Sequence, residues 1–149
     1  MQIVLAHIGS KPSSKDPFES LSSDYLDRCS KFARSRAESF RSEEALFDWI
    51  ERQQGRTPGI TVLLDSRGRQ MSSEGFAEWL GRQRDQGAQL IVFAIGPANG
   101  WSDEGRKRAN LLLSFGQFTL AHALARLVLA EQIYRAFTIL AGHPYHSGH

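Results

Sequence analysis

Three short apolar runs organise the first two thirds of the chain, at residues 3–9, 60–65 and 90–96. Each run is nearly free of polar residues, is rich in β-branched side chains and ends at Gly or Asp. Strands that are buried on both faces have this pattern, because helices cover both sides of a parallel sheet. The pattern therefore predicts three central strands of such a sheet.

Helix-forming segments separate these strands. Residues 42–54 and 72–87 both begin with serine and have glutamate in the first turn, which is typical of a capped helix. Helix-forming residues also fill residues 19–31. Residues 33–41 alternate small and charged side chains, as an edge strand does. Alternating strands and helices predict an α/β fold, here as a single domain over residues 1–149.

The C-terminal third has a different pattern. Residues 111–120 are apolar but are interrupted by Gly116, and residues 122–140 form a long helix-like run whose apolar positions surround the axis. A helix that is apolar on all sides is buried on most of them, so we expect it to pack against its own sheet and a partner subunit. Glu131 and Arg135 lie four residues apart and can form an ion pair on this helix.

Composition narrows the class of protein. The 149 residues are 41% hydrophobic and 23% charged, which fits one soluble domain with one core. No apolar run reaches the roughly 20 residues that span a bilayer, and no basic segment precedes a signal-like stretch, so we expect a cytoplasmic protein. The net charge of +2 permits RNA binding without arguing for it. The single cysteine, Cys29, fits packing better than nucleophilic chemistry.

The first candidate ligand segment is residues 95–104, which read IGPANGWSDE. A buried strand runs into a glycine-containing loop, and Ser102 is placed to cap the next helix. Glycines at the carboxyl end of a strand let the backbone approach a ligand closely, although a plain tight turn has the same pattern. The segment matches neither the dinucleotide-binding fingerprint nor the P-loop.

The second candidate is residues 114–122, which read SFGQFTLAH. Two aromatic residues flank Gly116 just before the long helix, and they could form an apolar wall suited to an adenine ring. A turn within the core is the alternative. We expect His122 to orient the neighbouring loop rather than to take part in chemistry.

The third candidate is the tail, which reads HPYHSGH from residue 143 to residue 149. Its three histidines are spaced by three residues, as in some metal sites. Pro144 opposes a helix, however, and no acidic residue or cysteine joins the set, so we predict no metal. A disordered tail is the alternative to a functional one.

Together these segments resemble the RlmH-type ribosomal RNA large-subunit methyltransferases, a family of the SPOUT class. The resemblance is carried by LDSRGRQMSSEGFA at residues 64–77, by the IGPANG loop, by residues 113–119, and above all by residues 126–137 with Pro144-Tyr145-His146. It covers essentially the whole chain. The EQIYRAF helix joined to a Tyr-His tail is more specific than any single motif.

The resemblance implies a fold, a cofactor and a substrate. The fold is an α/β parallel sheet flanked by helices, with a C-terminal trefoil knot. The expected cofactor is S-adenosyl-L-methionine, and the protein would act as a homodimer on ribosomal RNA in the assembled ribosome, without a metal or a membrane. The implied reaction is methylation of N3 of a pseudouridine in 23S ribosomal RNA.

The resemblance also implies site residues. Matching motif positions gives nine cofactor-binding residues: Leu64, Gly96, Gly100, Phe115, Gly116, Gln117, Phe118, Thr119 and Leu120. The implied catalytic residues are Arg135, Tyr145 and His146. His146 would take the proton from N3, Tyr145 would stack on or hydrogen-bond the base, and Arg135 would hold a carbonyl oxygen or a phosphate. For Arg135, the alternative is a simple ion pair with Glu131. For Tyr145 and His146, the alternative is a loose tail.

Two positions depart from the family pattern. Pro97 stands where the loop usually has a second glycine, and Ala121 stands where a proline often precedes the helix histidine. Pro97 lacks an N–H and has φ fixed at about −65°. The loop departure, with a short segment between the first strand and Ile60, keeps open a SPOUT methyltransferase with a different RNA target. A third possibility is an inactive, ribosome-associated RNA-binding protein.

Overall fold

The computed structural model describes residues 1–53 and 55–147, which form five strands, five α-helices and a 3₁₀ helix. The strands are β1 (Gln2–Ile8), β2 (Arg34–Phe40), β3 (Ile60–Gln70), β4 (Leu90–Ile95) and β5 (Leu111–Ser114). The helices are α1 (Pro17–Cys29), α2 (Glu43–Arg52), α3 (Ser73–Asp85), α4 (Asp103–Arg108) and α5 (His122–Leu140), and the 3₁₀ helix covers Pro144–His146. The strands pair in parallel in the order β2-β1-β4-β3-β5, which confirms the predicted α/β class.

Most predicted elements agree with the structure to within about two residues. The alternating segment 33–41 is β2, at one edge of the sheet. Helix α2 ends at Arg52, and its predicted end at Gln54 lies outside the described residues. Strand β3 runs five residues beyond the predicted end at Asp65. Residues 111–114 form a strand, whereas their apolar pattern alone is equally compatible with a turn.

Side-chain caps fix where four of the helices begin. The caps are Asp16, Ser42, Ser72 and Ser102, and each accepts a hydrogen bond from a backbone N–H two or three residues later. Such a bond satisfies one of the amide donors that a helix leaves unpaired at its start. The predicted cap at Ser102 is therefore confirmed.

The core lies on both faces of the sheet, because successive strand residues point to opposite sides. On one face, Ile3, Val62 and Phe93 pack with α1, α3 and α5. On the other face, Val4 and Val92 pack with α2 and with the indole that precedes α4. This three-layer arrangement explains why β1 and β4 are apolar without alternation.

Helix α5 is buried on one face and partly exposed on the rest, so the enclosure that its sequence predicts is incomplete within one chain. Leu129, Ile133 and Phe137 are buried in the core, and only His122 is exposed along the whole helix. Although α5 is the longest helix, no helix of the described residues is both long and apolar enough to cross a membrane.

A buried polar cluster joins α5 to β1 and α1. The Arg126 guanidinium lies 3.4 Å from Nδ1 of His7 and 3.6 Å from Glu19, and Nε2 of His7 lies 2.9 Å from the carbonyl oxygen of Ser10. Burial lowers the pKa of His7, so the ring is neutral. A proton on Nε2 then lets His7 donate to Ser10 and accept from Arg126, which gives this histidine a structural role.

The single cysteine packs in the same core. Cys29 is fully buried, and burial raises the pKa of its thiol to about 12. The nucleophilic thiolate is therefore scarce at neutral pH, which agrees with a packing role.

The backbones of β3 and β5 approach each other closely at Gly68. Regular pairing breaks between Leu64 and Arg69, and both residues pair with Leu113. A Cβ added at Gly68 would lie 2.6 Å from the carbonyl carbon of Leu112 and 2.7 Å from the amide nitrogen of Leu113. Only a residue without a side chain fits between these two backbones. The trefoil knot remains a prediction from the resemblance.

Gly68→Ala should therefore lower the free energy of unfolding by about 1–3 kcal/mol or more, since neither backbone can move away easily. Urea denaturation measures this change. The control is Gly75→Ala in α3, where the added Cβ would meet only Ser72 Oγ at 3.3 Å and Met71 Cβ at 3.8 Å. That variant should keep its stability or gain up to about 1 kcal/mol. Equal stability of both variants would contradict the close contact at Gly68.

Candidate functional site

A cavity of about 470 Å³ opens where the carboxyl ends of β3, β4 and β5 meet. This volume falls within the range of about 300–1,000 Å³ that is usual for small-molecule sites. The walls come from the end of β3, the loop after β4, the segment after β5 and the start of α5. All nine residues predicted to bind the cofactor line it: Leu64, Gly96, Gly100, Phe115, Gly116, Gln117, Phe118, Thr119 and Leu120. The fold thus brings together three segments that are distant in the sequence.

Two of the glycines have a backbone that other residues rarely adopt. Gly100 has φ of 83° and Gly116 has φ of 109°. A Cβ at Gly116 would meet no atom within 4 Å, so its Cα faces open space. A ligand can approach the backbone closely at this position.

Gly96 has a different role from the one its motif suggests. A Cβ at this position would lie 2.8 Å from Cε2 of Trp101, so a side chain here would displace the indole. Trp101 is buried and donates from Nε1 to the carbonyl oxygen of Leu64 at 3.0 Å. Gly96 therefore makes room for a tryptophan that ties the loop to β3, and Trp101 itself is a cavity residue that the sequence analysis missed.

The departure at Pro97 is compatible with this loop. The amide of Gly100 donates to the carbonyl oxygen of Pro97 at 2.8 Å, which closes a tight turn. The turn uses the carbonyl of residue 97 and not its N–H, which is the group that proline lacks. Proline at position 97 is therefore compatible with this turn.

His122 holds the same loop from the start of α5. Its Nε2 lies 3.0 Å from the carbonyl oxygen of Gly96. Burial lowers the pKa of His122, so the ring is neutral and donates this hydrogen bond with its proton on Nε2. The contact agrees with the expected orienting role, and it forms although Ala121 provides no side-chain cap.

The charged side chains that line the cavity, among the described residues, are Asp65 and Arg106. Arg106 donates from Nε to Asp65 at 2.7 Å and from Nη1 to Asp103 at 3.0 Å, while Asp65 also accepts from the amide of Arg67 at 2.8 Å. Burial works to raise the pKa of Asp65, but the Arg67 amide and the guanidinium outweigh it, so the pKa lies below its usual range. The pair stays ionised at neutral pH.

The three predicted catalytic residues meet around Glu131 on α5. Its carboxylate accepts from Arg135 Nε at 2.9 Å, from Arg135 Nη2 at 2.6 Å and from the Tyr145 hydroxyl at 3.1 Å. Arg135 Nη1 also lies 2.9 Å from Nδ1 of His146. The ion pair between Glu131 and Arg135 is therefore present, and the tail folds back onto α5 as an ordered 3₁₀ turn.

The protonation states in this cluster are defined by its contacts. Nδ1 of His146 accepts from Arg135, so the ring proton lies on Nε2, which is 2.6 Å from Glu74. Burial, reinforced by hydrogen bonds to Tyr25 and Glu131, raises the pKa of Tyr145. The phenol therefore stays protonated at neutral pH and is a donor rather than a base.

The tail histidines do not form a metal site within the described residues. Nδ1 of His143 accepts from the Tyr145 amide at 3.1 Å, and both ring nitrogens of His146 have partners. His149 lies outside the described residues. No group of three metal-binding side chains occurs in residues 1–53 and 55–147.

The predicted catalytic cluster is separated from the cofactor cavity of its own chain. Ala125 lines the cavity, whereas Arg135 lies ten residues further along the same helix, about 15 Å away at the usual rise per residue. None of Arg135, Tyr145 and His146 lines the cavity. Within one copy of the chain, the two sets of predicted site residues therefore lie apart.

Comparison with solved structures supports the fold. One similar structure is the SpoU methyltransferase AviRb from Streptomyces viridochromogenes in complex with the cofactor AdoMet, with a TM-score of 0.52 and 15% identity. The match covers 96% of this chain and 58% of that one. Another is a probable methylase family protein from Haemophilus influenzae Rd KW20, with a TM-score of 0.52, 11% identity and coverage of 99% and 70%. Likeness at this level of identity establishes the fold alone.

Comparison with protein sequences gives a closer relationship. A protein of Koribacter versatilis is 50% identical over 131 residues, which cover 88% of this chain and 89% of that protein. A protein of Rhizorhabdus wittichii is 52% identical over 92 residues, which cover 61% of this chain and 66% of that protein. Both are named ribosomal RNA large subunit methyltransferase H. The family described as predicted SPOUT methyltransferase matches residues 1–146, and this chain belongs to that family.

Proposed function

We propose that this chain transfers a methyl group from S-adenosyl-L-methionine to N3 of a pseudouridine in 23S ribosomal RNA of the large subunit. The observation that carries the proposal is that all nine expected cofactor residues line one cavity. The name shared by the relatives supports ribosomal RNA as the substrate. The AdoMet bound to a structural neighbour supports the cofactor. An enzyme of assembled ribosomes works in the cytoplasm, which is the location that we propose.

The cavity residues fit this cofactor chemically. Leu64, Phe115 and Leu120 offer apolar surface for an adenine ring, and Gly100 and Gly116 let the ligand approach the backbone. S-adenosyl-L-methionine supplies an electrophilic methyl group on its sulfonium. The task left to the protein is to hold the nucleophile in line with that group and to remove its proton.

The tail cluster offers the groups for this proton transfer. The N3–H of pseudouridine lies between two carbonyls and must be lost as the new bond forms. Tyr145 stays protonated, so His146 is the base among the three residues. When Arg135 donates to a substrate carbonyl instead of to the ring, Nδ1 of His146 becomes free to accept the proton. Glu74, 2.6 Å from Nε2, then stabilises the imidazolium.

We propose that a second copy of the chain joins the two half-sites. Leu124, Leu127 and Val128 are partly exposed and form an apolar stripe along α5 that continues to Glu131 and Arg135. A two-fold interface along this stripe with α5 antiparallel to its partner would bring each tail cluster toward the partner's cavity. That arrangement removes the separation of about 15 Å within one chain.

A groove beside the cavity supports this arrangement. It has a volume of about 290 Å³ and shares Ser114 and Phe115 with the cavity. Val128 and Gln132 of α5 form its other side. The groove therefore connects the cofactor cavity to the helix face on which the partner would lie.

Cofactor binding can be tested with Thr119→Trp, which places a large side chain on an exposed part of the cavity wall. The demethylated product, S-adenosyl-L-homocysteine, should bind the wild type in calorimetry and bind the variant at least tenfold more weakly. The control is Ser13→Trp, on an exposed loop that does not line the cavity, which should bind as the wild type does. An unchanged affinity in a folded Thr119→Trp protein would place the cofactor elsewhere.

The reaction can be tested with labelled S-adenosyl-L-methionine and ribosomes that lack the modification. After digestion of 23S ribosomal RNA to nucleosides, the label should appear in N3-methylpseudouridine. Label in another nucleoside would instead support a different RNA target. Intact cofactor affinity without any transfer would support the inactive, ribosome-associated protein.

The tail can be tested with His146→Ala, which should lower methyl transfer by roughly a hundredfold or more, the usual scale for the loss of a general base. Folding and cofactor affinity should be unchanged, because His146 does not line the cavity. The control is His143→Ala in the same tail, whose described ring contact is with the Tyr145 amide. Full activity of His146→Ala on ribosomes would exclude this residue as the base.

The shared site can be tested by mixing His146→Ala with Thr119→Trp after light scattering has established a dimer, at a cofactor concentration at which Thr119→Trp alone is inactive. Random exchange should restore roughly a quarter of the wild-type activity, because half of the dimers are mixed and each carries one complete site. A stable monomer would contradict the arrangement. So would mixed dimers that form but remain inactive.

A further inference from the structure

Arg106 reaches the cofactor cavity from α4 and brings a positive charge to it. Its side chain is largely buried, with 18% exposed, and it lines the cavity together with Gly100 and Trp101. The neighbouring His122 is neutral. Among the described residues, Arg106 is therefore the cation that a bound ligand would meet in this cavity.

The guanidinium still has donors to offer. Nε is used by Asp65 and Nη1 by Asp103, whereas Nη2 has no hydrogen-bond partner among the described residues. This nitrogen lies 3.7 Å from the position that a Cβ of Gly100 would occupy. Two N–H donors are thus held beside the glycine loop, at the edge of the cavity.

Asp65 fixes the position of this guanidinium. Its side chain is only 4% exposed, and its other oxygen accepts from the Arg67 amide at the end of the regular β3 pairing. A carboxylate held by the backbone keeps Arg106 in one orientation, so little side-chain entropy is lost when a ligand binds. Asp103 is 86% exposed, so solvent screens its charge.

We propose that Arg106 binds the carboxylate of the amino-acid end of S-adenosyl-L-methionine through Nη2, with Asp65 as its positioning residue. The inference rests on the proposed function. The carboxylate is the one anionic group of that cofactor, whose adenosine is neutral and whose sulfonium and ammonium are positive. A guanidinium with two free donors is the side chain best suited to a carboxylate.

The amino-acid end of the cofactor also matches the paired charges of Arg106 and Asp65. That end carries a carboxylate and an ammonium on one carbon, and the cavity offers Arg106 and Asp65 side by side. A ligand with both charges enters such a site without leaving a net charge buried. Binding of this end beside Arg106 and Asp65 would fix the direction in which the sulfonium methyl group points.

The test compares two ligands that differ only by the carboxylate, S-adenosyl-L-homocysteine and its decarboxylated analogue, on full-length protein by calorimetry. Arg106→Gln should weaken binding of S-adenosyl-L-homocysteine by about 10- to 100-fold, the scale of a charge-assisted hydrogen bond. The same variant should not weaken binding of the decarboxylated analogue, which keeps only the ammonium. Asp65→Asn should weaken binding of S-adenosyl-L-homocysteine more than binding of the decarboxylated analogue, whereas a general loss of structure would weaken both equally.

The matched control is Arg108→Gln, two residues further along α4. Arg108 pairs with Glu51 at 2.8 Å and does not line the cavity, so both ligands should bind this variant as they bind the wild type. Arg106→Lys keeps the charge without the forked geometry and should restore part of the selective affinity.

Two results would overturn the inference while leaving the proposed function intact. Equal weakening of both ligands by Arg106→Gln would mean that the residue shapes the cavity and does not recognise the carboxylate. Unchanged affinity for both ligands, with a raised KM for ribosomes, would assign Nη2 to an RNA phosphate. A wild-type protein that fails to bind S-adenosyl-L-homocysteine would overturn the proposed function itself.

Discussion

The parallel pairing of β3 with β4 and β5 is the constraint on which the rest of the site depends. Parallel strands end at the same edge of a sheet, so the segments that follow these three strands must meet there. Trp101 then ties the loop after β4 to β3, and His122 ties the start of α5 to the same loop. The glycines contribute only the space that this arrangement of loops requires. A cavity assembled in this way keeps its shape because each wall is anchored to a different strand of a buried sheet.

Helix α5 gives the molecule its second constraint. Its first turn lines the cavity, and its last turns carry the Glu131 network that orders the tail. A packed helix does not bend enough to bring these two ends together, so within one chain the tail cluster and the cavity stay apart. The apolar stripe between the two ends is the surface that a second copy would cover. In the proposed dimer, α5 would serve both assembly and catalysis.

Periodicity predicts the strands and helices of this chain well, because most of them are either buried on both faces or capped by a serine. It fails at the end of β3, where Ser66, Arg67 and Arg69 are polar although they belong to the strand. The cofactor residues follow from the resemblance to a family, and the structure places all nine around one cavity. The sequence alone does not predict the pair of Asp65 and Arg106, because the two residues lie 41 positions apart and only the fold makes them neighbours. For Gly96, the motif correctly indicates a position that lines the cavity. The group that excludes a side chain there is the indole of Trp101, which the motif does not reveal.

The indole of Trp101 gives the protein an optical property. Trp49 and Trp79 are not among the residues that line the cavity, whereas Trp101 forms part of its wall and donates its ring N–H to the backbone of β3. Indole emission depends on the polarity and hydrogen bonding around the ring. A ligand that displaces solvent beside Trp101 therefore alters the intrinsic fluorescence of the unlabelled protein. Occupancy of the cavity can be followed in real time, on the same timescale as ligand entry and release.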